Sequence, residues 1–350
     1  MIKRIIFLRF LTCTILLFCT YVSLAQDRLR VGFYNLENFF DPFVDSTRVY
    51  NEFTKDGTQH WNYTRYTKKK NNIFKTIHAI GEKESISILG VCEIENDYVL
   101  KDLLYNTPLK KTMYQFVHYD SPDRRGIDIA IIYRKDQMRL INSRIIPLID
   151  PQDSTFVSRD IVYASFEIVC DTIHVFVNHW PSRYGGELES QYRRRLAANL
   201  LRSHVDSLCA LQTKTPKIII MGDFNDTPQD ESLTTYLRAF EKIDSQDNTC
   251  NLVNLFSNAQ KVGFKGSLKF QHQWQIFDQI IISTSLCNDS AGVVYEENSA
   301  KIFTAPFLFE EDDRHLGEKL FRTYVGPKYF GGFSDHLPVF IDLQTNCAED

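Results

Sequence analysis

The chain has 350 residues, 43% of them hydrophobic, enough to bury a large core and to exclude a disordered or low-complexity protein. Forty basic against 44 acidic side chains leave it at −4 near neutral pH. A protein that grips nucleic acid chiefly through bulk charge is basic overall, so a polyanion would have to be met through a local patch or a bound cation.

Residues 1–25 read as a secretory signal peptide. Lys3, Arg4 and Arg9 form a basic start, an apolar run extends from Phe10 to Phe18, and Ser23-Leu24-Ala25 offers small residues at a cleavage site. The other reading, a membrane anchor, meets a run that is short and interrupted by Thr12, Thr14 and Thr20. Cleavage would leave residues 26–350 as one catalytic domain, exported to the periplasm or the medium. It removes three basic residues and no acidic ones, which moves the net charge from −4 to about −7. No later segment is apolar enough to cross a membrane.

The mature chain alternates short apolar runs with amphipathic stretches. Residues 30–34 predict a strand, and 69–80 a helix with Ile73, Ile77 and Ile80 on one face. Strands follow at 87–92 and 127–133, then at 161–169 and 172–178 as a hairpin. A long helix is predicted over 191–208, with Leu196, Leu200 and Leu201 facing the core and Arg193, Arg194 and Arg195 turned to solvent or paired with Glu187 and Glu189. Strands at 217–221, 276–283 and 339–343 complete the pattern, which predicts sheet-centred layers with helices outside. Two polar stretches, 41–68 and 295–333, read as loops or small excursions; Lys68–Lys70 reads as a solvated helix start and Glu310–Asp313 as an exposed acidic run, with calcium binding the alternative. Outside the signal, Cys92, Cys170, Cys209, Cys250, Cys287 and Cys347 show no zinc-binding spacing, while export permits disulfides.

The strands end in similar chemistry. The first runs into Asn35, Glu37 and Asn38, the second into Glu93 and Glu95, and the hairpin into Asn178, His179 and Arg183. The strand KIIIM runs into Asp223 and Asn225; Asp278 opens another strand, and Asp335 and His336 precede the last. One aspartate after a strand is commonly a turn or cap residue. Six such ends brought together would repel unless a cation or a shared proton intervened. Carboxylate and amide oxygens without thiolates suit Mg²⁺, with Mn²⁺ or Ca²⁺ also possible.

These segments, "YNLEN", "EIEN", "NHW", "GDFN" and "SDH" in this order, resemble the endonuclease/exonuclease/phosphatase family, whose fold is named after deoxyribonuclease I. The resemblance runs from Asn35 to His336. It implies an α/β four-layered sandwich of two packed, mostly antiparallel sheets flanked by helices, and metal-dependent cleavage of phosphate esters. It also implies roles. Glu93 would be the principal metal ligand, with Asn35 and Glu37 beside it directly or through water, and Asp335 a further acidic group near the metal. Asp223 and Asn225 would approach the nucleophile and the phosphate, Asp278 would orient His336, and His179 would be the second active-site histidine. Either His336 or Asp223 could be the general base.

Arg124, Arg125 and Arg183 are candidates for binding substrate phosphate, since arginine makes forked contacts; solvated loop charges are the alternative for the first two. The expected function is an exported nuclease acting on phosphodiesters of nucleic acid, with no obligate protein partner. A phosphatase or phosphodiesterase on small or lipid-linked esters, a non-catalytic binding module on the same scaffold, and a toxin-like nuclease that needs a partner are the alternatives.

Overall fold

Strand β1 (Arg28–Phe39) is buried along nearly its whole length, so both of its faces need cover. The computed structural model describes residues 28–44, 52–82, 85–168, 171–212, 214–242, 250–259, 263–270, 272–288 and 291–346. The segment read as a signal peptide, and Cys170 and Cys347, lie outside these residues. The described strands of the two main sheets are β1, β2 (Ile88–Ile94), β3 (Tyr114–Tyr119), β4 (Asp128–Arg134), β5 (Arg139–Ile146), β6 (Ile161–Ile168), β7 (Asp171–His179), β8 (Lys217–Asp223), β9 (Ala239–Phe240), β10 (Leu252–Asn254), β11 (Asp278–Ser283), β12 (Gly292–Tyr295), β13 (Lys301–Ile302) and β14 (Val339–Asn346). One seven-stranded sheet runs β12-β14-β1-β2-β4-β3, with β13 also on β14; the other runs β5-β6-β7-β8-β11-β10-β9. The pairs β1–β2, β7–β8 and β9–β10 are parallel and the rest antiparallel.

The sheets pack face to face over Phe33, Ile131, Val175, Val177, Met221 and Ile280. Outside the first sheet lie helices α1 (Tyr63–Gly81) and α2 (Asp97–Tyr105), which bury Ile73, Ile77, Ile80, Val99 and Leu103 against it. Helix α3 (Glu187–Leu211) covers the second sheet with Ala197, Leu201 and Val205. Helix, sheet, sheet and helix are the four layers expected from the resemblance. Two glycines make close approaches near the polar strand ends. A Cβ on Gly90 would lie 2.8 Å from the Met221 sulfur, and one on Gly222 would lie 2.3 Å from the Asn178 carbonyl on the neighbouring strand. At Gly222 the close atom is backbone and cannot give way, which explains the glycine in "GDFN".

Several expectations change. Lys69 and Lys70 are buried, not solvated, because α1 begins at Tyr63, capped by the Asn62 side chain, and turns both lysines inward. Arg194 is fully buried and forms an ion pair with Asp226 at 2.7 Å, while Arg193 pairs with Asp153 and Arg195 with Glu231. In the stretch 295–333 the small-excursion reading holds. The stretch carries β13 and two ribbons, Phe309–Glu311 with Glu318–Leu320 and Tyr324–Val325 with Lys328–Tyr329. Within the acidic run, Asp312 is bound to Lys269 at 2.6 Å and accepts the amides of Arg314 and His315, so it fastens a hairpin turn. Strands β3 and β5 escape sequence reading because each is the edge of its sheet, and an edge tolerates polar residues on an exposed face. Cys209 and Cys250 form a disulfide tying α3 to the approach to β10, whereas Cys92 is a buried free thiol. No helix among the described residues is long and apolar enough to cross a membrane.

Candidate active site

Register delivers the polar ends to one edge of the sandwich. The parallel pair β1–β2 sets Asn35 beside Cys92, one residue before Glu93. The parallel pair β7–β8 sets His179 beside Asp223, and the antiparallel pair β8–β11 sets Asp223 beside Asp278. Irregularities after Asn35 and after Cys92 interrupt the ladders there. Glu37, Asn38 and Glu93 occupy left-handed backbone conformations, with φ of 51°, 54° and 59°, as does Asn225 at 51°. Such strain costs on the order of 1–3 kcal/mol per residue and persists only where surroundings enforce it. Here it accompanies the breaks in the ladders, and Glu93 turns one oxygen toward His179.

His336 stands beside Asp223 and Asp278. Its Nδ1 is 2.7 Å from the Asp278 carboxylate, and its Nε2 is 3.6 Å from Asp223 Oδ2. Burial opposes a charge on this imidazole, but Asp278, Asp223 and Asp335 outweigh it and hold the proton well above the usual histidine range. Asp223 accepts the Asn35 side-chain amide at 3.1 Å and the Asn225 backbone amide at 3.0 Å. Burial, reinforced by Asp278, still pushes its carboxyl up to about 6 against the pull of His336. Nε2 of His179 lies 3.8 Å from the same Asp223 oxygen and 3.9 Å from Glu93 Oε1. Burial, then Arg159, Arg125 and His336, drive its pKa well below the usual value, so it is neutral. Two imidazoles of opposite protonation therefore flank one carboxylate oxygen.

The Asn225 side chain donates to the Trp180 carbonyl at 3.0 Å, and Arg159 donates to that carbonyl at 2.7 Å. Arg159 is in turn paired with Asp123 at 2.9 Å, and Asp123 accepts the Arg125 amide, so one chain of contacts links the Arg125 loop to Asn225. Arg124 reaches out to the Thr155 carbonyl on the exposed surface. Arg183 is committed elsewhere. It is bonded to the Asn225 carbonyl, Asp226 and Asp230, and it pairs with Glu187.

Glu37 is buried, and both oxygens are engaged: Oε1 accepts from Arg322 Nε at 3.0 Å, and Oε2 accepts the Thr323 amide at 2.7 Å with Lys69 3.6 Å away. Arg322 also pairs with Asp335 at 2.8 Å. Against burial, which opposes ionisation, Arg322, His336 and Lys69 hold the Asp335 carboxyl below its ordinary range. Sequence reasoning missed Arg159, Arg322 and Lys69. Each sits next to a polar or aromatic segment without a strand-end pattern, and its partner is remote in the chain.

The donor set fits a hard divalent cation. Asp223, Asp278 and His336 place one ligand atom each within 4.8 Å of one another. Nearby Glu93 accepts the Asn38 amide at Oε2 at 2.9 Å and turns Oε1 toward His179. One Asp278 oxygen and Nδ1 of His179 are buried without a hydrogen-bond partner. Carboxylate oxygens, with excess negative charge and no thiolate among them, match the preference of Mg²⁺-type ions, while both nitrogens of His336 are already directed at Asp278 and Asp223.

These layers and this site define a deoxyribonuclease-I-like fold. Solved structures agree. The catalytic domain of human Nocturnin, with bound sulfate, superposes with a TM-score of 0.54 over 91% of this chain and 94% of that one at 15% identity. A mannosyl-6-phosphatase of Bacteroides thetaiotaomicron gives 0.56 over 90% and 99% at 17% identity. TDP2 of D. rerio with a single-strand DNA product gives 0.54 over 91% and 100% at 13% identity. No curated protein matches the sequence significantly. The model of the endonuclease/exonuclease/phosphatase family matches residues 30–345, and the chain belongs to that family. It is a metal-dependent hydrolase of phosphate esters.

Proposed function

We propose that this protein is an exported nuclease that hydrolyses phosphodiesters of nucleic acid, with Mg²⁺ as its cation. The observation that carries the reading is the placement of His336 and His179 at 3.6 and 3.8 Å from a single Asp223 oxygen. Attack on a diester needs an activated water and help for a poor alkoxide leaving group, and this trio supplies a base and two donors. Asp223, ionised above pH 6, accepts the proton of the attacking water. His336, held by Asp278, stays protonated beside the developing charge. The free N–H of Asn225 and Nε2 of His179 offer hydrogen bonds to phosphoryl oxygens. Glu93 would hold the cation, with Asn35 and Asp335 nearby. When bound, the ion supplies positive charge against a phosphoryl oxygen and the leaving oxygen. Export is supported by the N-terminal sequence and by the Cys209–Cys250 disulfide, which suits an oxidising compartment.

A second reading, a phosphatase of small esters, draws on the commitment of Arg183 to carboxylates and on the negative net charge of −4. A substrate panel separates the two: DNA, RNA, bis-p-nitrophenyl phosphate, inositol phosphates and sphingomyelin, each with Mg²⁺, Mn²⁺ or Ca²⁺ added after chelation. The nuclease reading expects turnover of DNA or RNA that weakens steeply with added salt. Turnover of monoesters alone would sink it.

The same site sets a pH dependence. Below its pKa Asp223 is neutral and takes no proton, so kcat/KM falls as pH drops through about 6, with a bound cation moving the midpoint lower. For stability the sign is opposite. The folded state binds this proton more tightly than the unfolded chain, so the contribution of Asp223 is present in acid and lost as pH rises through about 6. Rate profiles and denaturant melts of the metal-free protein from pH 4.5 to 8 check both. A rate that rises toward low pH would remove Asp223 from the role of base.

A further inference from the structure

Arg322 presents a guanidinium at this site that is both anchored and open. Its Nε and Nη2 are held by Glu37 at 3.0 Å and Asp335 at 2.8 Å, yet its side chain stays 39% exposed and its Nη1 makes no hydrogen bond among the described residues. The segment that carries it is fastened from below by α1. Lys69 donates to Thr323 Oγ1 at 2.6 Å, and Asn72 donates to the Gly331 and Gly332 carbonyls at 3.0 and 2.6 Å. The contrast with Glu37 is informative. That carboxylate is 3% exposed, and each of its oxygens already accepts a hydrogen bond from the Arg322 segment, Oε1 from the guanidinium and Oε2 from the Thr323 amide. Glu93, by comparison, has an oxygen turned into the site.

We propose that Arg322 binds the non-bridging oxygens of the substrate phosphate, and that Glu37 is a positioning residue that holds this guanidinium in place of ligating the metal. Arg322 then grips the phosphate from the Glu37–Asp335 side, opposite Asn225 and His179. An arginine pinned through two of its nitrogens presents the remainder of its fork in a fixed direction, so its ordering cost is met in the free protein. Lysine in its place keeps the charge and loses the fork. The inference rests on the phosphoesterase reading of the site, and it adds a contact that the strand-end motifs do not contain.

The test uses the full mature chain and three variants, Arg322→Met, Arg322→Lys and Glu37→Gln. Inorganic phosphate is the probe for binding, read by thermal shift with and without Mg²⁺. Mn²⁺ titration followed by electron paramagnetic resonance reads the metal, and steady-state kinetics on bis-p-nitrophenyl phosphate reads turnover. The expected result for Arg322→Met is a loss of about tenfold or more in phosphate affinity and a raised KM, with Mn²⁺ affinity within threefold of wild type. Arg322→Lys, which preserves the charge that Glu37 and Asp335 need for folding, should recover stability but not KM. Glu37→Gln should weaken phosphate binding while leaving Mn²⁺ affinity within threefold. Unchanged phosphate affinity and KM in Arg322→Lys and Arg322→Met would overturn the role of Arg322. A tenfold fall in Mn²⁺ affinity in Glu37→Gln would return Glu37 to the metal. If the wild type turned over no ester yet bound phosphate through Arg322, the catalytic reading would fall and this contact would stand.

Discussion

His336→Ala should lower kcat/KM by roughly 10²–10³-fold at neutral pH, the range expected when one donor to the developing charge is removed. The geometry explains why. The imidazole spends Nδ1 on Asp278 at 2.7 Å and points Nε2 at Asp223, so its loss removes the positive charge that keeps two buried carboxylates compatible across paired strands. Asp278, already lacking a partner for Oδ1, would then keep no neighbour for Oδ2 and would take up a proton. Asp278→Asn should also slow turnover, because it withdraws the charge that fixes the imidazole's proton. The double variant should be no slower than His336→Ala alone, since residues acting as a unit are not additive. Initial rates of the three proteins at saturating Mg²⁺ make the check. Activity of His336→Ala within tenfold of wild type would show that the imidazole is a bystander.

The second large effect is on stability. Arg194→Met should cost about 3–5 kcal/mol, the usual consequence of removing one partner of a buried ion pair. Arg194 is fully buried at the start of α3, paired with Asp226 at 2.7 Å and bonded to Ser190 at 2.7 Å. Asp226 directly follows Asn225, so the pair nails the active-site turn to the helix layer. Ser232 and Arg183 also contact Asp226 and soften the loss, which favours the low end of that range. Adding Asp226→Asn to Arg194→Met should restore part of the stability, because the stranded charge is what costs most. Urea unfolding measures both. A single variant within 1 kcal/mol of wild type would mean that the pair contributes nothing net.

Much of the site was legible before any coordinates. Asp223 and Asn225 sit where an apolar, strand-length run stops, Asp278 and His336 sit where one begins, and a polar group at the end of a strand is a local pattern. His179 was visible for the same reason. Arg183 shows the limit. Its spacing after His179 suggested a phosphate ligand, but the turn at Asp226 and Asp230 folds back and takes up the guanidinium. Lys69 shows it again, since three lysines in a row look solvated until the helix start moves six residues earlier, to Tyr63.

By itself, then, the order of residues determined the layers, the strand ends and the types of oxygen and nitrogen brought to them. Those follow from periodicity, which records how each side chain meets water over a few neighbouring positions. Only the tertiary structure decided which charges find each other. Arg322 meets Glu37 across 285 positions, and Asn35 meets Asp223 across 188. A buried charge must be matched wherever the topology happens to place an opposite one, and no local pattern carries that address.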